Sequence, residues 1–360
     1  MNWLLIITIV LGVVALARLM KIMQISAILR GEDVNAMKES DSKNNAIIWV
    51  VFGLVFFYFF YWQVQNYSSK LLPISASEHG VETDKLFAVT MGLITIVFFI
   101  THIFLFYFAY RYFAKKGQKT EFFAHSTKLE LIWTIVPTIV LTSLIVYGIQ
   151  TWDKITTPAP ENTAVIELYA KQFDWTARYA GKDNKLGNSS FRLIEGSNDL
   201  GIDVTDPHAA DDKVVRGEFH IPVGKPVNLV FHSRDVIHSA YMPHFRAQMN
   251  CVPGMTTRFH FVPTITTAEM KAKTNNENFD YLLLCNKICG ASHYNMQIKI
   301  VVDTPEEYER WLNEKKTFAE QNAPKAEEAP KADSLSLAND TAKAIKDTIA
   351  TATAALPTKY

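Results

Sequence analysis

The sequence predicts a membrane-anchored helical segment followed by an all-β domain outside the cytoplasm. Apolar residues gather in four runs within the first 150 positions. From about 160 to 302 the pattern changes to short alternating segments. Residues 285–296, CNKICGASHYNM, then place two of the chain's three cysteines in one loop with a histidine and a methionine. The 360 residues are 49% hydrophobic with a formal net charge of zero, and no nucleic-acid partner is expected.

The apolar runs are 3–17, 46–62, 86–110 and 131–149. A bilayer core of roughly 30 Å needs about 20 helical residues, and about 17 is the lower limit. The third and fourth runs meet this outright, and the second is read as a span as well. The first is short enough to suggest a cleaved signal peptide. No positive charge precedes it, however, and Arg18 and Lys21 follow it, the reverse of a signal peptide's layout. It is read as a span entering from outside. Arg111, Lys115, Lys116, Lys119 and Lys128 cluster after the third run against Glu121. Such a cluster marks the cytoplasmic side. Counting spans places everything after residue 150 outside.

Segments such as AVIELYAKQFDW, KPVNLVFHS, TTRFHFVP, DYLLLCN and MQIKIVV alternate in polarity and are rich in Val, Ile, Phe and Tyr. Turn stretches GKDNKLGN, PVGKP and CVPGM separate them. Period-two runs at this spacing predict a β-sandwich or barrel. Residues 304–316 read as a helix with Thr304 as cap and Pro305 at its first position. At the start of the last span, TKLE (127–130) reads as a capping box, with Thr127 as cap and Glu130 reaching back. Beyond 318 the chain is rich in Ala, Lys, Glu, Pro and Thr, which builds no core.

Three chemistries compete for Cys285 and Cys289. A disulfide suits an oxidising compartment, but so small a loop removes little unfolded-state entropy and leaves His293 and Met296 without a role. Zinc does not usually take a thioether. Two thiolates, an imidazole and a thioether together favour copper. A further histidine must come from elsewhere, and SRDVIHSAYMP (233–243) offers His238, with His232 and His244 as weaker candidates. Cys251 reads as a small buried residue.

With these motifs in hand, the chain resembles subunit II of the cytochrome c oxidases, in the haem-copper oxidase superfamily. Cys285, Cys289, His293 and Met296 match C-x-E-x-C-x-x-x-H-x-x-M, and Asp235–Ser239 match D-V-x-H-S. NCVPGM (250–255) and LELIWTIVP (129–137) are similar to further family segments. The resemblance covers roughly residues 86–303. It implies an extracytoplasmic cupredoxin-like Greek-key β-barrel carrying a two-copper centre, CuA, whose thiolates bridge both metals. His238 and Met296 would complete one copper, and His293 with the Lys287 backbone carbonyl the other. The centre would take electrons from cytochrome c or a tethered haem donor and pass them to haem in subunit I, where oxygen reduction drives proton pumping.

Two departures qualify what carries over. Lys287 stands where the family has Glu. The backbone carbonyl is unaffected, but an ammonium group cannot ligate magnesium, so the family's magnesium is not expected through this residue. At the family's electron-receiving tryptophan the chain has Phe173, followed by Asp174 and Trp175. Trp175 also suits a strand core, and Tyr241 and Tyr294 are further aromatic candidates. Asn250 replaces a usual aspartate, and Arg246, His244 and Lys287 are close in sequence to the copper motif. The donor surface is therefore expected to depend less on a basic cytochrome c. Glu130 corresponds to a family glutamate at the mouth of a proton path.

The expected units are 1–45, an extra span with a cytoplasmic loop; 46–84, a second span with an outside loop; 85–150, a transmembrane hairpin; 151–318, the copper domain; and 319–360, a low-complexity tail. Subunits I and III are the expected partners, with other respiratory complexes possible through the extra spans. The location is the inner (plasma) membrane. A membrane-anchored copper-binding or copper-delivery protein is the rival reading.

Overall fold

The structure, a computed structural model, describes residues 2–31, 38–119, 122–161, 163–196 and 198–322. Its first part contains α1 (Asn2–Leu29), α2 (Glu39–Tyr67), α3 (Glu78–Arg111) and α4 (Thr127–Thr156). Among the described residues, all four helices are long and apolar enough to cross a membrane, the first included. At 28 to 34 residues they run about 42–51 Å, longer than a bilayer core. Their large apolar side chains face outward, as lipid or other membrane subunits require. α2 and α3 pack through aromatic rings; Phe60 stacks on Phe98 with centroids 5.0 Å apart.

The expected cap of α4 needs correction. Ser126, not Thr127, is its N-cap, because the Ser126 carbonyl already accepts the Glu130 amide at 2.9 Å. Thr127 is the first helical residue, and Glu130 reaches back to the Ser126 amide at 3.4 Å. Pro137 lies inside α4 without ending it, as membrane helices permit.

The β domain follows α4. Its strands are β1 (Ala164–Lys171), β2 (Asp174–Tyr179), β3 (Lys213–Arg216), β4 (Glu218–Pro222), β5 (Val227–Ser233), β6 (His238–Met242), β7 (Ala247–Cys251), β8 (Thr257–Phe261), β9 (Tyr281–Cys285) and β10 (Gln297–Asp303). They form two five-stranded sheets, ordered β3-β2-β1-β5-β8 and β4-β10-β9-β6-β7. The two sheets agree with the expected cupredoxin-like barrel. Alternation decides the inner faces: Ile166, Leu168 and Ala170 of β1 are buried against Phe219, Tyr281 and Ile300 from the other sheet's strands.

The segment AVIELYAKQFDW is not one strand. The chain reverses at Gln172–Phe173, so Lys171 pairs with Asp174 in an antiparallel hairpin. The outward residues of β1 are also buried, because residues 181–212 fold over them. Leu200, Ile202 and Ala209 meet Tyr169 and Phe318 there in a second, smaller core.

α5 (Thr267–Thr274) is a short polar helix with a Thr266–Glu269 capping box, and its composition carried no periodic signal. α6 (Pro305–Glu314) has the expected Thr304 cap, completed by Glu307. α7 (Phe318–Asn322) buries Phe318. Residues 323–360, most of the expected tail, lie outside the described residues.

Candidate metal centre

β9 ends on Cys285, and the loop 286–296 returns the chain to β10. The loop mouth is closed by the Cys285 amide donating to the Met296 carbonyl at 3.0 Å. It is tied to β6 by the Asn286 amide, which donates to Ser239 O at 2.9 Å. β6 begins at His238 and pairs with β9, Ala240 opposite Cys285. The pairing of β6 with β9 thus brings His238 to the cysteine loop, though His238 and Cys285 are 47 residues apart in sequence.

The donor atoms converge. Cys285 Sγ lies 3.8 Å from Cys289 Sγ, 3.7 Å from His238 Nδ1 and 3.3 Å from the Lys287 carbonyl oxygen. Cys289 Sγ lies 3.5 Å from His293 Nδ1 and 3.8 Å from Met296 Sδ. Both cysteines are free thiols. His238, Cys289 and Met296 are 0%, 5% and 2% exposed. Burial and the neighbouring Cys285 push the Cys289 thiol up to about 11. A group of soft donors that includes a buried thiol reluctant to ionise unaided suits a thiophilic cation. The residues present therefore fit a copper group. His232 and His244 are outside this cluster; His232 bonds Glu167 and Thr256, and His244 bonds the Ile74 carbonyl.

Asp235 orders the site from behind. Its carboxylate accepts from His238 Nε2 at 2.8 Å, from the Gln172 amide at 2.7 Å and from the Val236 amide at 2.7 Å. Burial alone would raise this carboxyl, but those hydrogen bonds hold it below the usual range. A proton held at Nε2 leaves Nδ1 as the free lone pair facing Cys285. Gln172 Nε2 donates to Cys289 O at 2.5 Å, tying the β1–β2 turn to the loop. Asp235 opens the D-V-x-H-S motif, and this role in it is visible only in the fold. The three-residue spacing to His238 was the available signal.

The aromatic candidates separate. The Phe173 ring lies over Gly290, where a Cβ would come within 2.8 Å of it. Gly290 sits at φ 142°, so it needs both the missing Cβ and the glycine backbone. Trp175 is fully buried, with its ring 6.3 Å from that of His238. Tyr241 is half-buried on β6, and Tyr294 is 88% exposed beside His293. Glu130 is exposed in the first turn of α4, the end away from the β domain.

The expectation that Arg246 and His244 add charge beside the copper motif needs correction. His238 pairs with Cys251 at one end of the β6–β7 hairpin, whereas Met242 and Ala247 close the other, where His244 and Arg246 sit. Arg246 is committed there to Asp84. Lys287 is exposed on the loop itself.

A family model described as the transmembrane domain of cytochrome c oxidase subunit II matches residues 61–151. A second, described as its periplasmic domain, matches residues 164–304. The alternative cytochrome c oxidase subunit 2 of Bradyrhizobium diazoefficiens is 34% identical over 232 residues, covering 64% of this chain and 79% of that protein. Cytochrome c oxidase subunit 2 of Thermostichus vulcanus is 28% identical over 273 residues, covering 69% and 80%. Among solved structures, the periplasmic domain of subunit II of cytochrome oxidase of Bradyrhizobium japonicum is 22% identical, with a TM-score of 0.29, covering 43% of this chain and 95% of that one.

Proposed function

The chain belongs to the cytochrome c oxidase subunit II family, and from that premise we propose that residues 285–296 and His238 hold a two-copper centre through which the oxidase receives its electrons. Membership makes it the membrane-anchored subunit II of a haem-copper oxidoreductase complex, with its copper domain outside the cytoplasm. The observation that carries the finer reading is the convergence of six donors around Cys285 and Cys289, with His238, Cys289 and Met296 buried.

Cys285, Cys289, His238, His293, Met296 and the Lys287 carbonyl would hold the two metals. When bound, this group supplies a one-electron acceptor with its charge shared over two metals. The chain's own residues do the rest. Asp235 and Gln172 hold His238 and the Cys289 loop in place, so that little reorganises when charge changes. Phe173 and the strands behind it exclude water. Tyr294 gives the loop an exposed aromatic, and Phe173 gives it a half-buried one; these are the contacts for the donor and for the onward path to haem in subunit I. Lys287 offers no carboxylate, so magnesium is not held through it. Glu130 stands at the mouth of a proton path, and the units follow the boundaries 1–45, 46–84, 85–150, 151–318 and 319–360. Subunits I and III are the partners, and the two extra spans are free to contact other respiratory complexes. The donor is a tethered or acidic haem protein, a reading that rests on Lys287 and Asn250 now that His244 and Arg246 lie at the far end of the hairpin. Turnover with a strongly basic cytochrome c should depend only weakly on salt, and a steep fall would argue for an acidic docking face instead.

A copper-delivery protein needs open, exchangeable ligands, and the burial of His238, Cys289 and Met296 disfavours that. The test is copper stoichiometry and electron-spin resonance on the purified complex. Two coppers beyond the one in the haem-copper site of subunit I, with a mixed-valence signal, are expected, lost in His238→Ala and kept in His232→Ala and His244→Ala. A single extra copper, or a signal lost in all three variants alike, would sink the ligand assignment.

A further inference from the structure

Residues 73–77, between α2 and α3, are built into the β domain. The Ala76 amide donates to His244 O at 2.7 Å, the Thr264 amide to Ala76 O at 2.9 Å, and the Glu78 amide to Val262 O at 3.1 Å. Ser77 caps α3 by accepting the Gly80 amide at 3.1 Å, and its hydroxyl donates to Phe245 O at 2.8 Å. One serine thus ties the start of a membrane helix to the β6–β7 turn.

Arg246 completes the junction. It adopts a left-handed backbone, φ 51°, just before β7. Its guanidinium grips both oxygens of Asp84 on α3, at 2.8 and 2.9 Å. The same group donates to Pro73 O and to Pro243 O, each at 2.6 Å. The Arg246 side chain is 10% exposed. Its rigid fork fills four positions that the single ammonium of a lysine could not match. From this turn β6 runs five residues to His238, a rise of about 17 Å. The hairpin therefore has one end clamped to α3 and the other in the copper-ligand cluster.

We propose that the Arg246–Asp84 pair is a positioning device that locks the β6–β7 hairpin onto the first turns of α3 and so sets the height and orientation of the copper ligands over the membrane. The inference rests on the electron-transfer role above. Transfer to a haem in a membrane subunit falls exponentially with distance, so a copper domain that rocks on its anchor transfers slowly even with its ligands intact. The isolated β domain would leave Arg246 without Asp84 and without the 73–77 segment.

The test uses the assembled oxidase with Arg246→Gln, Arg246→Lys, Asp84→Asn and the Gln/Asn double variant. Copper content and the mixed-valence signal should match wild type. Electron-spin resonance on oriented membrane layers should show a broadened angle of the copper site to the membrane normal. Copper-to-haem transfer per copper should fall about tenfold in Arg246→Gln and less in Arg246→Lys. The double variant should be no worse than the singles. Hydrogen exchange at Ala76 and Thr264 should quicken. Wild-type orientation and transfer rate in Arg246→Gln would overturn the proposal. A wild-type complex without the copper signal would instead overturn the function it rests on. If Arg246→Gln does not assemble, Asp84→Asn, which keeps the bonds to Pro73 and Pro243, decides in its place.

Discussion

Asp235 joins three parts of the candidate metal centre through one carboxylate: the His238 ring, the β1–β2 turn at Gln172 and its own loop. In Asp235→Asn one of those donors meets an amide NH2, and the His238 ring loses its charged partner. Copper affinity should fall about 10–100-fold, the usual cost of losing an outer-shell partner; chelator competition on the purified complex measures it. Unchanged affinity would mean that loop packing alone orients His238. The soft donors in 285–296 were readable because short-range spacing puts them together whatever the rest of the chain does. The role of Asp235 was not, because it exists only once residues 233–238 fold back and the β1–β2 turn arrives from 63 residues away.

Among the elements, α6 shows how a local signal and a tertiary one divide the work. Thr304 and Pro305 were legible as its start, and Glu307 completes the cap. What docks it was not legible. Trp311 stacks on His220 of β4, with centroids 3.8 Å apart, and meets Tyr179 at 5.6 Å. Trp311→Ala should destabilise the β domain by about 3 kcal/mol through the lost stacking area, read as a lowered midpoint in near-ultraviolet circular dichroism, while Thr304→Ala should cost about 1 kcal/mol. Equal effects would show that the cap, not the docking, holds α6. The break between β1 and β2 was hidden for a similar reason. Alternation runs straight through YAKQFDW, and only pairing decides that Lys171 faces Asp174.

At the scale of the molecule, the cover formed by 181–212 buries charges on the far side of the first sheet. Arg178, 2% exposed, lies between Glu167 at 2.5 Å and Asp212 at 3.5 Å. Burial would raise Glu167, yet His232 and Arg178 hold it below the usual range. Asp212 goes the other way: burial pushes it up to about 6, against the pull of Arg178 and the Gly187 amide. Its folded value is above the ordinary 3.8, so its contribution to stability is full below 3.8 and is lost as pH rises through about 6. Asparagine mimics the protonated acid. The melting midpoint of Asp212→Asn should therefore gain on wild type as pH rises from 3.8 to about 6 and then run parallel. A gap that stays constant over that window would show that Arg178 keeps Asp212 charged throughout.

The sequence by itself determined the membrane helices, the all-β domain and the soft-donor loop, because hydropathy, period-two alternation and spacing within twelve residues are properties of the local chain. The family followed from the same loop together with the His238 motif. Only the tertiary structure decided that Asp235 and Gln172 bond to His238 and the Cys289 loop, that Phe173 covers Gly290 while Trp175 is sealed inside, and that Arg246 meets Asp84 of α3 rather than the cysteine loop. Each of these depends on which segments meet in space. Asp84 and Arg246 are 162 residues apart, and no periodicity links them. Their meeting is set by sheet order and by the return of the 73–77 segment to the barrel, which are products of the whole fold.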